Sequence, residues 1–257
     1  MDYRGFNLNL NFNLQIVSYL FCFALLLQFF EMIVISKDKT FLKVWSFSNL
    51  KSSLPCKKFF QNIYSEKGFR LLLLFEFILI IGLAIRPTDR ILVLGIAIIH
   101  LLICLRFRGL FNGGSDMMVF VIATGLIIGG KFGLIYIAIH TCYSYFKAGI
   151  VKIVQPTWRS GLAISQFMGV SLYQNFQRLE HPIQSKKLLL LFLSYSVLVF
   201  ELLLPLVFIF PSIVFIYCAI AIIFHAVNSI VFGLNRFFWI WLAAWPAVIY
   251  FVQTIKS

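Results

Sequence analysis

Apolar residues run along this chain in long continuous blocks, not in alternation. The first block, Phe12 to Ser36, exceeds the roughly 20 helical residues that cross a bilayer. Seven more follow: Leu71 to Ile85, Ile91 to Leu105, Met117 to Gly129, Phe132 to Val151, Leu188 to Phe210, Ser212 to Gly233, and Phe237 to Gln253. The pattern predicts an all-α, polytopic membrane helix bundle of about eight spans, a single integral membrane domain over residues 1–257. Continuous runs exclude the alternating signature of a membrane β-barrel. The second to fourth blocks are short and cross only with help from flanking residues or a locally thin bilayer. Only Gly129, Gly130 and Lys131 separate the fourth block from the fifth. If those two blocks are one helix broken at the glycines, the count falls to seven.

The polar gaps divide unevenly. Residues 37–70 form a basic loop carrying Lys37, Lys39, Lys43, Lys51, Lys57, Lys58, Lys67 and Arg70. Residues 157–181 are different. Trp158, Leu162, Phe167, Val170, Tyr173 and Phe176 recur there at helical spacing, which predicts an interfacial amphipathic helix ending at His181-Pro182. Trp239, Trp241 and Trp245 read as headgroup anchors.

Composition sharpens this picture. The chain is 61% hydrophobic and 12% charged, too apolar for a water-soluble domain. Its net charge is +13. In a soluble protein that charge would raise nucleic acid as a partner, but here it matches cytoplasmic loops facing anionic lipid headgroups. On eight spans only Arg4, Arg86, Arg90, Lys131 and Lys256 fall on the less basic side, so both termini are expected outside the cytoplasm. The lipid bilayer is the expected partner, with no nucleic acid. The five cysteines form no disulfide framework and no zinc signature. The first fifteen residues lack the features of a cleavable signal.

Polar groups inside spans are costly and therefore informative. They are Glu31, Glu76, His100, Lys131, His140, Lys152, Glu201, His225 and Asn228, with Asp116 at the mouth of the fourth span. Neither Glu76 nor Glu201 has a basic residue within one helical turn, so each must face the interior, pair across helices or stay protonated. No HxxH or ExxH spacing occurs among these groups, so no metal site is expected. In "RFRGLFNGGSDMM", Arg106, Arg108, Asn112, Gly113 and Gly114 make a turn able to hold a headgroup or a quinone oxygen. Ser115 or Asp116 is expected to cap the helix that follows.

The stretch "YFKAGIVKIVQPTWRSG", Tyr145 to Gly161, carries Lys147, Lys152 and Arg159 and no acid. Its helix must end before Pro156. Gly149 removes bulk one turn before Lys152, so a neighbour or ligand can approach. Lys152 lies among Ile150, Val151, Ile153 and Val154. An amine held away from water in its neutral form is a competent general base. The competing reading is that Lys147 and Lys152 snorkel to headgroups.

This stretch resembles the signature of the vitamin K-dependent γ-carboxylase-like proteins, the horizontally transferred transmembrane (HTTM) domain family. The matching positions are Tyr145, Phe146, Ala148, Gly149, Lys152, Trp158 and Gly161. The resemblance implies quinone-linked redox or proton-abstraction chemistry with Lys152 as the catalytic base. Tyr145, Gly149, Trp158 and His225 are supporting candidates, and Asp116, His140 and Arg159 are candidates to orient the base. The carboxylase's large non-membrane domain has no counterpart of that size here, and "NGGSDMM" stands in place of its Asn-Asn-His element. True glutamate carboxylation is therefore not expected. The resemblance extends to small bacterial members like the sporulation-delaying protein B. They imply a place in the bacterial cytoplasmic membrane and, as the alternative function, a non-catalytic part in maturation of or immunity to a small secreted peptide toxin, beside a membrane partner protein.

Overall fold

A computed structural model describes residues 10–37, 57–106 and 114–256 of the chain. Every regular element among the described residues is helical. The long helices follow the apolar blocks one for one. They are α1 (Leu10–Lys37), α3 (Glu66–Ile85), α4 (Arg90–Arg106), α5 (Gly114–Ile128), α6 (Gly130–Ile153), α11 (Lys187–Leu203), α12 (Val214–Phe232) and α13 (Asn235–Lys256). A short α2 (Lys57–Ile63) precedes α3. Among the described residues, α11 with its 3-10 extension to Phe208 joins α1, α3, α6, α12 and α13 as the six segments long and apolar enough to span a membrane; α5 is shorter. This is an integral membrane protein with an all-α polytopic bundle.

Breaks in the bundle have local causes. Gly129 and Gly130 both take positive φ, +67° and +58°, which an L side chain rarely adopts. They turn the chain sharply, so α5 and α6 pack side by side as a hairpin and are not one broken helix. Pro205 lies where α11 tightens into the 3-10 turn Leu204–Phe208, and a second 3-10 turn, Pro211–Ile213, leads into α12.

The segment after α6 is helical as its periodicity predicts, but it is not one helix. It divides into α7 (Pro156–Arg159), α8 (Leu162–Gly169), α9 (Gln174–Gln177) and α10 (Glu180–Gln184). Gly161 breaks it with φ +79° while lying against the Leu190 backbone of α11. Periodicity reported which residues share a face and could not report this close approach.

The core centres on α1 and α13, flanked by α3, α5, α6 and α11. Phe21, Leu25, Ile80, Ile96, Met118, Ile122, Leu134 and Trp245 are fully buried within it. Trp241 and Trp245 are core residues, which corrects their reading as headgroup anchors. Their indole rings fill space between α13 and α6, where Tyr145 meets both. The outward faces of α3 and α4 expose Leu71, Phe75, Ile78, Ile91 and Ile98, as a lipid-facing surface requires. The basic loop between Lys37 and Lys57 lies outside the described residues, as do Arg108, Asn112 and Gly113.

Candidate functional site

The motif around Lys152 folds as the end of α6, a short break, and α7. Pro156 sits at the start of α7, where a missing N–H leaves no helical bond unmade. Four residues before that break α6 touches α11. A Cβ added at Gly149 would lie 2.9 Å from Leu202 Cγ and 3.1 Å from the Leu202 backbone nitrogen. The absent side chain is what lets the two helices meet.

Lys152 follows one turn later. Helical side chains lean toward the N-terminus of their own helix, so this one reaches back into the bundle. Its Nζ lies 2.5 Å from Glu201 Oε1 and 2.7 Å from Oε2. The Glu201 side chain is 3% exposed and that of Lys152 is 22% exposed. The acid is thus sealed in the bundle while the amine keeps one open side. The Trp158 ring lies 5.3 Å from the same nitrogen, close enough for a cation–π contact. Ser194 of α11 holds Trp158 in place by donating to its carbonyl oxygen at 2.5 Å.

Two turns up α6, the Tyr145 hydroxyl and His225 Nε2 of α12 share a hydrogen bond of 2.5 Å. Both groups are buried. The His225 ring stacks on Trp241 of α13. Tyr145 meets Phe200, the neighbour of Glu201, edge to face. Lys152, Gly149, Trp158, Tyr145 and His225 therefore gather along the contact between α6, α11 and α12.

The remaining sequence candidates lie elsewhere. Asp116 pairs with Arg236 at the start of α13, Oδ1 to guanidinium 3.0 Å. Ser115 accepts from Arg236 at 2.8 Å. Both lie within the first turn of α5 and are turned toward Arg236, which corrects the expectation that one of them caps the helix. The His140 ring lies tilted against Tyr136, and its Nδ1 is 3.1 Å from the Tyr136 carbonyl oxygen, so it does not orient Lys152. Arg159 is exposed on α7. The expectation of snorkelling fails for Lys152, whose charge turns inward.

Sequence reading singled out Glu201 as a buried acid without finding its partner. The available signal was complementarity: Lys152 and Glu201 are opposite charges in separate spans, and each is costly alone. Arg236 and the three-way arrangement of His100, Asp116 and Arg236 were missed. Arg236 sits between spans in sequence and looks like an ordinary loop cation.

Chemically, the Lys152–Glu201 ion pair is neutral as a unit. Such a unit can accept one further proton on the carboxylate.

No curated protein and no solved structure matches the chain. The model of one family, the HTTM domain, matches residues 130–253. That segment holds Tyr145, Gly149, Lys152, Trp158, Glu201 and His225, and the match supports the HTTM family, typical of vitamin K-dependent carboxylase-like membrane proteins.

Proposed function

We propose that this membrane protein abstracts a proton from a quinone-related substrate, with the Lys152–Glu201 pair as the base. One observation carries the reading: a buried carboxylate holds an amine that stays partly open, beneath an aromatic ring. The residues present fit a hydroxyl-bearing ring compound. Trp158 offers a flat face, and Lys152 offers a donor beside the acceptor Glu201. The pair takes up the hydroxyl proton of the reduced substrate, and the ammonium group then faces the negative oxygen that remains. Tyr145 and His225 fix the wall of the site by their mutual hydrogen bond. Quinones supply two-electron redox capacity when bound; the protein supplies orientation, proton uptake and exclusion of water. Glutamate carboxylation is not part of the proposal.

Trp158 provides a direct test. Purified protein in detergent is titrated with a short-chain naphthoquinol and its quinone while tryptophan fluorescence is followed. Saturable quenching that weakens at least tenfold in Lys152→Met supports the reading. Quenching that is linear in concentration and the same in Lys152→Met overturns it.

A competing reading has the same pair as a packing lock in a non-catalytic component of peptide maturation or immunity. The contact at Gly149 favours it, because the ion pair sits where α6 and α11 already meet. The double variant Lys152→Met/Glu201→Met keeps function under this reading and loses it under the first.

A further inference from the structure

A second polar cluster lies outside the Lys152 site. His100 and Cys104 stand one turn apart on α4, and Asp116 faces them from α5. All three are almost fully buried. We propose that these residues bind a divalent transition-metal ion, with Zn²⁺ fitting the donor set. This assignment is independent of the proposed proton chemistry.

The distances carry the proposal first. His100 Nε2 lies 3.4 Å from Cys104 Sγ and 3.7 Å from Asp116 Oδ1. The three donor atoms fall within 4.8 Å of one another. A tetrahedral ion with bonds of about 2.0–2.3 Å to N, O and S separates its ligands by roughly 3.3–3.8 Å. The two separations from His100 already match that spacing before any ion enters. A hydrogen bond from His100 Nε2 to the Asp116 carboxylate is not the explanation, since 3.7 Å to Oδ1 is too long for one.

A second observation is independent of the trio. Glu76 of α3 is fully buried, and neither of its carboxylate oxygens has a hydrogen-bond partner. It lies within electrostatic range of Cys104 and Arg236. Asp116 Oδ2 is likewise buried without a hydrogen-bond partner. Buried acid oxygens left without partners around metal-type donors are explained if a cation binds among them.

The histidine is also set up correctly. Its Nδ1 lies 3.3 Å from the Gln28 amide nitrogen of α1, while the Gln28 amide oxygen has no partner. The O and N of an amide are interchangeable by a flip. Turned over, Gln28 accepts from Nδ1–H, and the Nε2 lone pair is left pointing at Cys104 and Asp116. An outer partner of this kind is what fixes a metal-ligating histidine. Charges then balance: a divalent ion and Arg236 offset the Cys104 thiolate and the carboxylates of Asp116 and Glu76. In this arrangement the ion ties α4 to α5, beside Arg236 at the start of α13.

The full chain is purified in detergent and its metal content measured by plasma mass spectrometry. About one zinc per chain is expected. The metal should fall at least tenfold in His100→Ala and Cys104→Ser, while His181→Ala, an exposed histidine on α10, keeps it. A second measurement rests first on the wild-type protein. Stripped wild-type protein reloaded with Co²⁺ should show a thiolate-to-cobalt charge-transfer band, and Cys104→Ser should not. Folded wild-type protein that holds no zinc and gives no cobalt band overturns the proposal. Zinc retained equally in the His100 and Cys104 variants also overturns it, since the ion is then adventitious.

Discussion

At the residue scale, this protein is governed by charges with no solvent to hold them. Lys152 and Glu201 belong to spans far apart in sequence, and each is tolerable only because the other exists. Removing one partner strands the other. Glu201→Ala alone is expected to lower stability by roughly 3–5 kcal/mol. Lys152→Met/Glu201→Met, which removes both charges at similar volume, should recover most of that loss. SDS or urea unfolding in mixed micelles, followed by tryptophan fluorescence, measures both. A double variant as unstable as the single one would show that the charges act separately. Lys152 was legible from the spacing of its motif, and Glu201 from its isolation within an apolar run. Their pairing was not, because no local spacing encodes a contact between α6 and α11. The same holds for Asp116, which reads as a helix cap from its position and instead answers Arg236.

At the element scale, small residues decide which helices can touch. Gly149 admits the Leu202 backbone of α11, so a methyl group there must push α6 and α11 apart. Gly149→Ala is expected to cost about 1–3 kcal/mol, the usual range for overpacking. It should also loosen the Lys152–Glu201 contact one turn away. The same unfolding assay, with naphthoquinol quenching run alongside, checks both effects; unchanged stability and quenching would count against the close packing of α6 on α11. The apolar blocks predicted all eight long helices, often to within a few residues, because burying apolar surface and satisfying the backbone demand the same element in lipid. The segment after α6 was read less well. Its hydrophobic spacing is helical throughout, yet Gly161 and the turn at Ser171 cut it into pieces that fold around the N-terminal half of α11. Those breaks follow from contacts with Leu190 and Val231, which lie in other helices.

At the scale of the whole molecule, orientation follows from charge. The basic residues Lys186 and Lys187 begin α11, and Lys131 lies beside the turn between α5 and α6, which the alternation of spans puts at the opposite end. Single cysteines placed at these positions in a cysteine-free background should label from opposite sides of the membrane with an impermeant maleimide, with position 187 on the cytoplasmic side. Labelling of both from one side would reverse the eight-span reading. By itself the sequence determined the solvent, the element type and the approximate helix boundaries, because these depend on continuous apolar length and on the need of each backbone group for a partner. It also marked which polar residues were too costly to be idle. Only the tertiary structure decided how those residues combine: Lys152 with Glu201, Tyr145 with His225, and Asp116 with Arg236 and His100. The reason is physical. Helix packing brings together side chains far apart in sequence, 121 positions for Ser115 and Arg236, and in a bundle the partner of a buried charge is set by which helix faces meet, a property that no single span carries.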